Sequence, residues 1–186
     1  LTRYHEDQFY TYDWTVPNPK RLQFYEGTDG ELWISSGTQI VRVRGNATVT
    51  NPTDDGWRGG RVKGFYEDGQ GRLWVFSTRG LLRQEEEGFV LADTTRIFHQ
   101  VVPRKAGGVW AATSRGLFHF EAGRFTASSP GLAPSDSVSG MREDGRGRLW
   151  IGTHDGRLIR IDGPEKTVYT SEEGLPRGRI GGIYEQ

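Results

Sequence analysis

Side chains suited to binding a small polar ligand occur in two kinds of loop along this chain. Trp14 and Trp57 are aromatic and lie between strand-like runs, and Arg58 follows Trp57 directly. Short turns further on carry charged or titratable groups at related places: Arg79, Arg115, His154 and Asp155. Aromatic faces beside arginines and carboxylates suit a sugar or an acidic glycan, through ring stacking and charged hydrogen bonds. We therefore predict a ligand site here; the alternative is that Trp14 and Trp57 only pack their loops against the rim of the fold.

The remaining reactive residue types do not form a catalytic or metal-binding pattern. The histidines are scattered without metal-ligand spacing, at His5, His99, His119 and His154, and there is no cysteine. His154 beside Asp155 is not a catalytic pair on adjacency alone. The turn aspartates Asp29, Asp68 and Asp144 belong to different repeats, so we expect them to shape their turns rather than bind calcium. We predict no catalytic residue, no metal and no cofactor, and we expect His119 to face solvent.

Four other tryptophans recur in the same short sequence motif at near-constant spacing. Each ends a turn-rich stretch and follows a leucine or a valine, and the intervals between them are 41, 36 and 40 residues. These repeat tryptophans are Trp33, Trp74, Trp110 and Trp150. Self-similarity at a period of about forty residues, with strand-like composition, is typical of a β-propeller. We expect each of these rings to fill the gap between adjacent blades.

Each repeat divides into four strand-like runs separated by turns. An apolar run opens the repeat, an Asp-Gly or Gly-rich turn follows, and the Leu-Trp strand, an alternating strand and a last strand complete it. Four antiparallel strands make one propeller blade, so the sequence predicts an all-β fold, with about four blades of a larger ring. The predicted boundaries are 21–60, 61–95, 96–136 and 137–178 for the blades, 1–20 for the outer strands of a preceding blade and 179–186 for the first strand of a following blade. The alternative is that two copies complete a ring together.

Two of the repeats carry a recognisable motif. Residues 67–81 read EDGQGRLWVFSTRGL and residues 143–156 read EDGRGRLWIGTHDG. Both resemble the two-component regulator propeller repeat, whose consensus runs roughly E-D-x-x-G-x-L-W-I-G-T-x-x-G-L. Residues 173–176 (EGLP) and, more loosely, 131–134 (GLAP) are similar to the G-L-P that precedes its opening strand. The third repeat departs from the pattern, because Pro103-Arg104 replaces Glu-Asp.

This resemblance implies the extracytoplasmic, periplasmic sensor region of a bacterial inner-membrane receptor, most often a histidine kinase and sometimes a diguanylate cyclase. Such a region detects a ligand, often a glycan fragment, or transmits a signal through dimerisation. The expected partners are therefore a glycan or other small ligand, the rest of the propeller, downstream signalling domains and a second copy in a homodimer. The chain has no kinase ATP-binding motif and no cyclase signature, and we predict no catalysis of its own.

Composition and short motifs bear on the other classes of function that the chain could have. Basic and acidic side chains number 24 each, so no net charge draws the chain to nucleic acid. No stretch approaches the roughly 20 apolar residues of a membrane helix. The alternative function is the propeller of a sialidase-like or glycan-lyase enzyme, because residues 28–33 resemble an Asp-box turn, S-x-D-x-G-x-x-W, with shorter spacing and no serine. A protein-interaction platform of the WD-repeat kind lacks its Gly-His and Trp-Asp signatures here.

Overall fold

The residues that the structure describes are all-β apart from one short helical turn. The computed structural model describes residues 2–5, 8–11, 22–36, 39–44, 47–50, 60–86, 88–128, 130–133 and 136–185. Within these ranges the strands pair antiparallel with their neighbours, and the helical turn is a 3-10 helix, Ser171–Glu173. Contacts between Cα atoms divide the chain into two compact units, residues 1–93 and 94–186.

The first unit contains a strand pair and two four-stranded sheets. The pair consists of β1 (Thr2–His5) and β2 (Gln8–Thr11). The first blade consists of β3 (Leu22–Glu26), β4 (Leu32–Ser36), β5 (Gln39–Arg44) and β6 (Ala47–Thr50). The second blade consists of β7 (Val62–Glu67), β8 (Leu73–Ser77), β9 (Gly80–Glu85) and β10 (Gly88–Asp93).

The second unit contains two more four-stranded sheets. The third blade consists of β11 (Phe98–Pro103), β12 (Val109–Thr113), β13 (Gly116–Glu121) and β14 (Arg124–Ala127). The fourth blade consists of β15 (Val138–Glu143), β16 (Leu149–Thr153), β17 (Leu158–Asp162) and β18 (Glu165–Tyr169). The strands of every blade neighbour one another in chain order, which confirms the predicted propeller blades.

One predicted element has no strand partner in the described residues. Residues 180–185, expected to open a following blade, form no ladder with any described strand. They lie against the fourth blade instead, where the Ile180 N–H donates to the Thr153 carbonyl oxygen at 3.1 Å. Because a strand is defined by its ladder, the assignment of 179–186 to a following blade stays a prediction.

The hairpin between the first two strands of a blade follows from its glycines. Gly71 and Gly147 close their turns with φ of +75° and +79°, a backbone conformation that side chains with a Cβ rarely adopt. The Leu-Trp strand that follows is covered on both faces, and all five residues of β8 are buried. The outermost strand is the most exposed, as the pattern of β18 shows.

Apolar packing joins the two blades inside each unit. In the first unit, Trp33 and Ile40 of the first blade share a cluster with Val75 of the second, and Trp33 meets Phe89 edge-on at 5.7 Å between ring centroids. In the second unit, Trp110 of the third blade packs against the core of the fourth. Burying one large apolar side chain contributes about 1.5–3 kcal/mol, so these clusters are the main attraction between blades.

Candidate functional site

The predicted ligand residues lie partly outside the described ranges. Trp14, Trp57 and Arg58 fall among residues that the structure does not describe. The four others lie in the turns after the Leu-Trp strands, and all are exposed: Arg79 in the second blade, Arg115 in the third, and His154 and Asp155 in the fourth. Membership of one site therefore stays a prediction for these residues.

The turns after the Leu-Trp strands are bound to the segments that lead into each blade. In the second blade, the Thr78 N–H donates to the Arg61 carbonyl oxygen at 2.9 Å. The same bond joins Ser114 to Ile97 in the third blade and His154 to Ser137 in the fourth. In these blades the turn and the incoming connection thus share one end of the sheet, as propeller topology predicts. We call it the turn end.

Asp155 belongs to an ion-pair network of its own blade. Its carboxylate accepts a hydrogen bond from the Thr153 hydroxyl and pairs with Arg157 at 2.8 Å. Arg157 in turn pairs with the buried Asp136 at 3.0 Å. The Thr153 hydrogen bond and the charge of Arg157 lower the pKa of Asp155. The guanidinium groups of Arg79 and Arg115, in contrast, meet no partner in the described part of the chain, so they are better placed than Asp155 to contact a ligand.

At the opposite end of the blades, which we call the hairpin end, a buried carboxylate organises the turn. Asp68 Oδ1 accepts hydrogen bonds from the backbone N–H groups of Gln70 and Arg72 at 3.0 and 3.1 Å. Its Oδ2 accepts hydrogen bonds from Arg72 Nε and Trp74 Nε1, both at 2.9 Å. This arrangement confirms that the turn aspartate shapes its hairpin, and we call it the carboxylate clamp.

The fourth blade repeats the carboxylate clamp. Asp144 accepts hydrogen bonds from the backbone N–H groups of Arg146 and Arg148 at 2.9 and 3.0 Å. It also accepts hydrogen bonds from Arg148 Nε and Trp150 Nε1 at 2.7 and 2.8 Å. Burial alone would raise the pKa of Asp68 and of Asp144. The hydrogen bonds from indole, backbone and guanidinium outweigh that effect and hold the pKa of each carboxyl below its usual range.

In three places a glutamate further along the chain hydrogen-bonds to a preceding hairpin. Glu67 and Glu143 end the opening strands of the second and fourth blades, and Glu185 lies in the segment after the fourth blade. Glu67 accepts the Thr28 N–H at 2.9 Å, Glu143 accepts the Lys105 N–H at 2.8 Å, and the Glu185 carboxylate accepts the Gly145 N–H at 2.8–2.9 Å. The three N–H groups occupy the same position in their hairpins, so this glutamate latch is a repeated feature. Burial and the charge of Glu67 also raise the pKa of Tyr25 to about 12.

The third blade keeps the tryptophan but loses the carboxylate clamp. Arg104 occupies the place of Asp68 and Asp144, and its Cζ lies 5.3 Å from the centre of the Trp110 ring. The Trp110 Nε1 atom is buried and donates to no acceptor among the residues that the structure describes. His119, expected to face solvent, is instead half-buried with its ring edge-on to Trp110 at 6.1 Å, because it lies directly across from Trp110 in the ladder.

Matching grooves run along the hairpin end between the two blades of each unit. The groove between the first and second blades has a volume of about 400 Å³. The groove between the third and fourth blades has about 450 Å³ and is lined by Arg104, Lys105, Ala106, Trp110 and Glu143 among others. Both volumes fall within the range of about 300–1,000 Å³ found for small-ligand pockets.

No group of three or more His, Cys, Asp or Glu residues in the described ranges could hold a metal ion. None of the helical segments there has the length and apolarity of a membrane-crossing helix.

The blades and their carboxylate clamps define a class of fold: a segment of a β-propeller built from repeats of one motif. The family model for the two component regulator propeller matches residues 132–155, which hold the end of the lead-in, the opening hairpin and the Leu-Trp strand of the fourth blade. The family predicted from the sequence is thereby confirmed for this repeat. No curated protein matches the sequence.

Solved structures with a similar fold include receptors and an enzyme. The extracellular domains of two hybrid two component systems from B. thetaiotaomicron match with TM-scores of 0.65 and 0.58 and identities of 14% and 15%, covering 88% and 95% of this chain and 23% and 25% of theirs. Virginiamycin B lyase from Staphylococcus aureus matches with a TM-score of 0.60 and 16% identity, covering 87% of this chain and 61% of the lyase. This chain therefore spans less than two thirds of each, and at these identities the likeness shows the fold alone.

The sequence does not predict the hairpin-end groove, although one of its features marks the repeat concerned. The replacement of Glu-Asp by Pro103-Arg104 marks the third repeat as different. What the sequence does not reveal is that Asp68 and Asp144 bind the indole of their own blade, so the effect of Arg104 on Trp110 follows only from the structure.

Proposed function

We propose that this chain is a ligand-sensing or ligand-binding propeller segment of a bacterial two-component-type receptor, situated in the periplasm and without catalysis of its own. The observation that carries the proposal is the two component regulator propeller repeat at residues 132–155. The likeness of fold to extracellular receptor domains supports it. The downstream signalling domains, the rest of the propeller and a homodimer partner belong to the same proposal.

The turn end is the site that we propose for the ligand. Each at the turn end of its own blade, Arg79 and Arg115 are exposed and have guanidinium groups without a partner among the described residues. Trp14 and Trp57 lie outside the described residues and belong to the proposed site as predictions from the sequence. Guanidinium groups and aromatic faces together suit a glycan fragment that carries acidic groups. The enzyme alternative rests on likeness of fold to the lyase alone, whereas the receptor proposal also has the family match at residues 132–155.

Calorimetric titration with acidic and neutral oligosaccharides tests this site. Trp57→Ala, Trp14→Ala and Arg115→Gln should each weaken binding by about tenfold or more, because a charge-assisted hydrogen bond contributes about 1.5–3 kcal/mol and an aromatic contact a comparable amount. Arg124→Gln is the matched control, since Arg124 is an exposed arginine on the outer strand β14. If the three turn-end variants bind as tightly as the Arg124→Gln control, the turn-end site is rejected. The release of new sugar ends during incubation would contradict a non-catalytic role.

A further inference from the structure

Every repeat tryptophan lies beneath a guanidinium group, and in three blades that guanidinium bonds a carboxylate. Arg42 lies 5.3 Å from the centre of Trp33 and pairs with Glu31. In the second and fourth blades, Arg72 lies over Trp74 and Arg148 over Trp150, and the carboxylates are Asp68 and Asp144. The repeating unit is thus an indole, a guanidinium and a carboxylate.

In the third blade the guanidinium is present, but no carboxylate of the described residues bonds it. Arg104 supplies the guanidinium from the position where the other blades carry the aspartate, and the contact described for its side chain is a 3.4 Å hydrogen bond to the Gly107 carbonyl oxygen. Two donors that meet a carboxylate in the sister hairpins, the Ala106 N–H and Trp110 Nε1–H, have no acceptor among the described residues. Ala106 is exposed, but the Trp110 Nε1 atom is buried, and a buried donor without an acceptor destabilises the fold.

These unsatisfied donors lie along the groove between the third and fourth blades. Arg104, Lys105, Ala106 and Trp110 line one side of it. Glu143 lies opposite, but its carboxylate is engaged by the Lys105 N–H as a glutamate latch. The balance of charge among the lining residues is therefore positive, and the volume of about 450 Å³ admits a small organic anion.

The matching groove between the first and second blades has the opposite character. Its lining carries the acidic residues Asp29, Glu31, Glu67, Glu85 and Glu86. Its cations are already paired, Arg42 with Glu31 and Arg72 with Asp68. The same architecture therefore repels an anion in the first unit, and the electropositive groove is a property of the third repeat alone among the described grooves of this kind.

We propose that the groove between the third and fourth blades binds a small ligand through a carboxylate, which takes the place that Asp68 and Asp144 fill in the second and fourth blades. The Arg104 guanidinium, the Ala106 N–H and the Trp110 indole N–H are its donors, a set that combines a charged hydrogen bond with backbone and indole donors. This site lies at the hairpin end and is distinct from the turn-end site proposed above.

The test is a titration of the full chain with acetate, glucuronate, N-acetylglutamate and, as the uncharged control, glucose, followed by NMR. The Trp110 indole and Ala106 amide signals should shift with all three carboxylates and not with glucose, and Trp110→Phe identifies the indole signal. The ranking of glucuronate against N-acetylglutamate separates a sugar acid from an amino-acid source. Trp57→Ala should leave these shifts intact, so the two proposed sites can fail independently.

Arg104→Asp is the decisive variant because it supplies the missing carboxylate from within. It should weaken carboxylate binding by about tenfold or more, and its ligand-free Trp110 indole signal should move towards those of Trp74 and Trp150. Arg104→Gln removes the positive charge without adding a carboxylate, and it should also weaken binding. It replaces the aspartate variant in the test if that variant does not fold. Arg146→Gln removes an exposed arginine from the sister hairpin and should bind as the parent does. Shifts that are absent from the third blade, or that persist unchanged in Arg104→Asp and Arg104→Gln, would overturn the proposal.

Discussion

At the scale of the residue, the same side chain type performs different tasks according to its place in the hairpin. Asp144 is buried and accepts four hydrogen bonds from backbone, guanidinium and indole groups. Asp29 is exposed, and its described hydrogen bond is one from the Glu31 N–H at 2.9 Å. A buried carboxylate that loses its charged partners is far more expensive than an exposed one, so only the first of these is essential to its hairpin.

We therefore expect Asp144→Asn to lower the free energy of unfolding by about 3 kcal/mol, because it leaves Arg148 without its carboxylate and places an amide donor against the indole donor. Asp29→Asn is the matched control and should cost less than about 1 kcal/mol. Urea denaturation of both variants, followed by circular dichroism, measures the difference. Equal losses in the two variants would contradict the role assigned to the carboxylate clamp.

At the scale of the element, the glutamate latch fixes how a hairpin meets the next blade. It bonds the same backbone N–H position in three hairpins, across sequence separations of 38–40 residues. One such bond contributes about 1 kcal/mol, whereas each large apolar side chain buried between blades contributes about 1.5–3 kcal/mol. The apolar clusters therefore contribute more to holding the blades together than the glutamate latch does.

Glu143→Ala should release the Lys105 amide without unfolding the third blade. We expect hydrogen exchange at that amide to accelerate by about fivefold or more and the free energy of unfolding to fall by about 1–2 kcal/mol. The Arg104 amide, which donates to the Gly108 carbonyl oxygen, should keep its protection. Glu165→Ala, on the exposed end of β18, is the matched control, and an unchanged Lys105 amide in Glu143→Ala would contradict the latch.

At the level of the whole molecule, carboxyl groups with depressed pKa values contribute to the response to acid. Asp68 and Asp144 have pKa values below those of an unfolded chain, where aspartate titrates near 3.9. The unfolded state consequently binds protons first as the pH falls. The stability that these groups provide is complete above the unfolded pKa and is lost as the pH drops through the folded values.

We expect the free energy of unfolding to decrease steadily from about pH 5 downwards, since each carboxylate clamp must be protonated at the expense of the folded state. In Asp144→Asn the decrease should be visibly shallower over the same interval. Urea denaturation at a series of pH values measures both slopes. A variant curve parallel to that of the parent would show that this carboxyl does not contribute to the acid response.

The blade pattern could be predicted from the sequence because it depends on local and periodic chemistry. Glycines and aspartates mark the hairpins, and Trp33, Trp74, Trp110 and Trp150 recur once in each blade. The role of the turn aspartate in its own hairpin followed as well, since its backbone partners are only two and four residues away. These features require no knowledge of which blades touch.

The chemistry of the hairpin end, in contrast, depends on tertiary contacts. The capture of the Lys105 N–H by Glu143, the half-burial of His119 and the unsatisfied Trp110 indole depend on neighbouring strands or a neighbouring blade. The all-β fold and its repeat could be predicted from the sequence, because periodic burial and turn geometry follow the order of the residues. The sequence did not determine where charge is left uncompensated, because that depends on which side chains are brought together by the packing of one blade against the next.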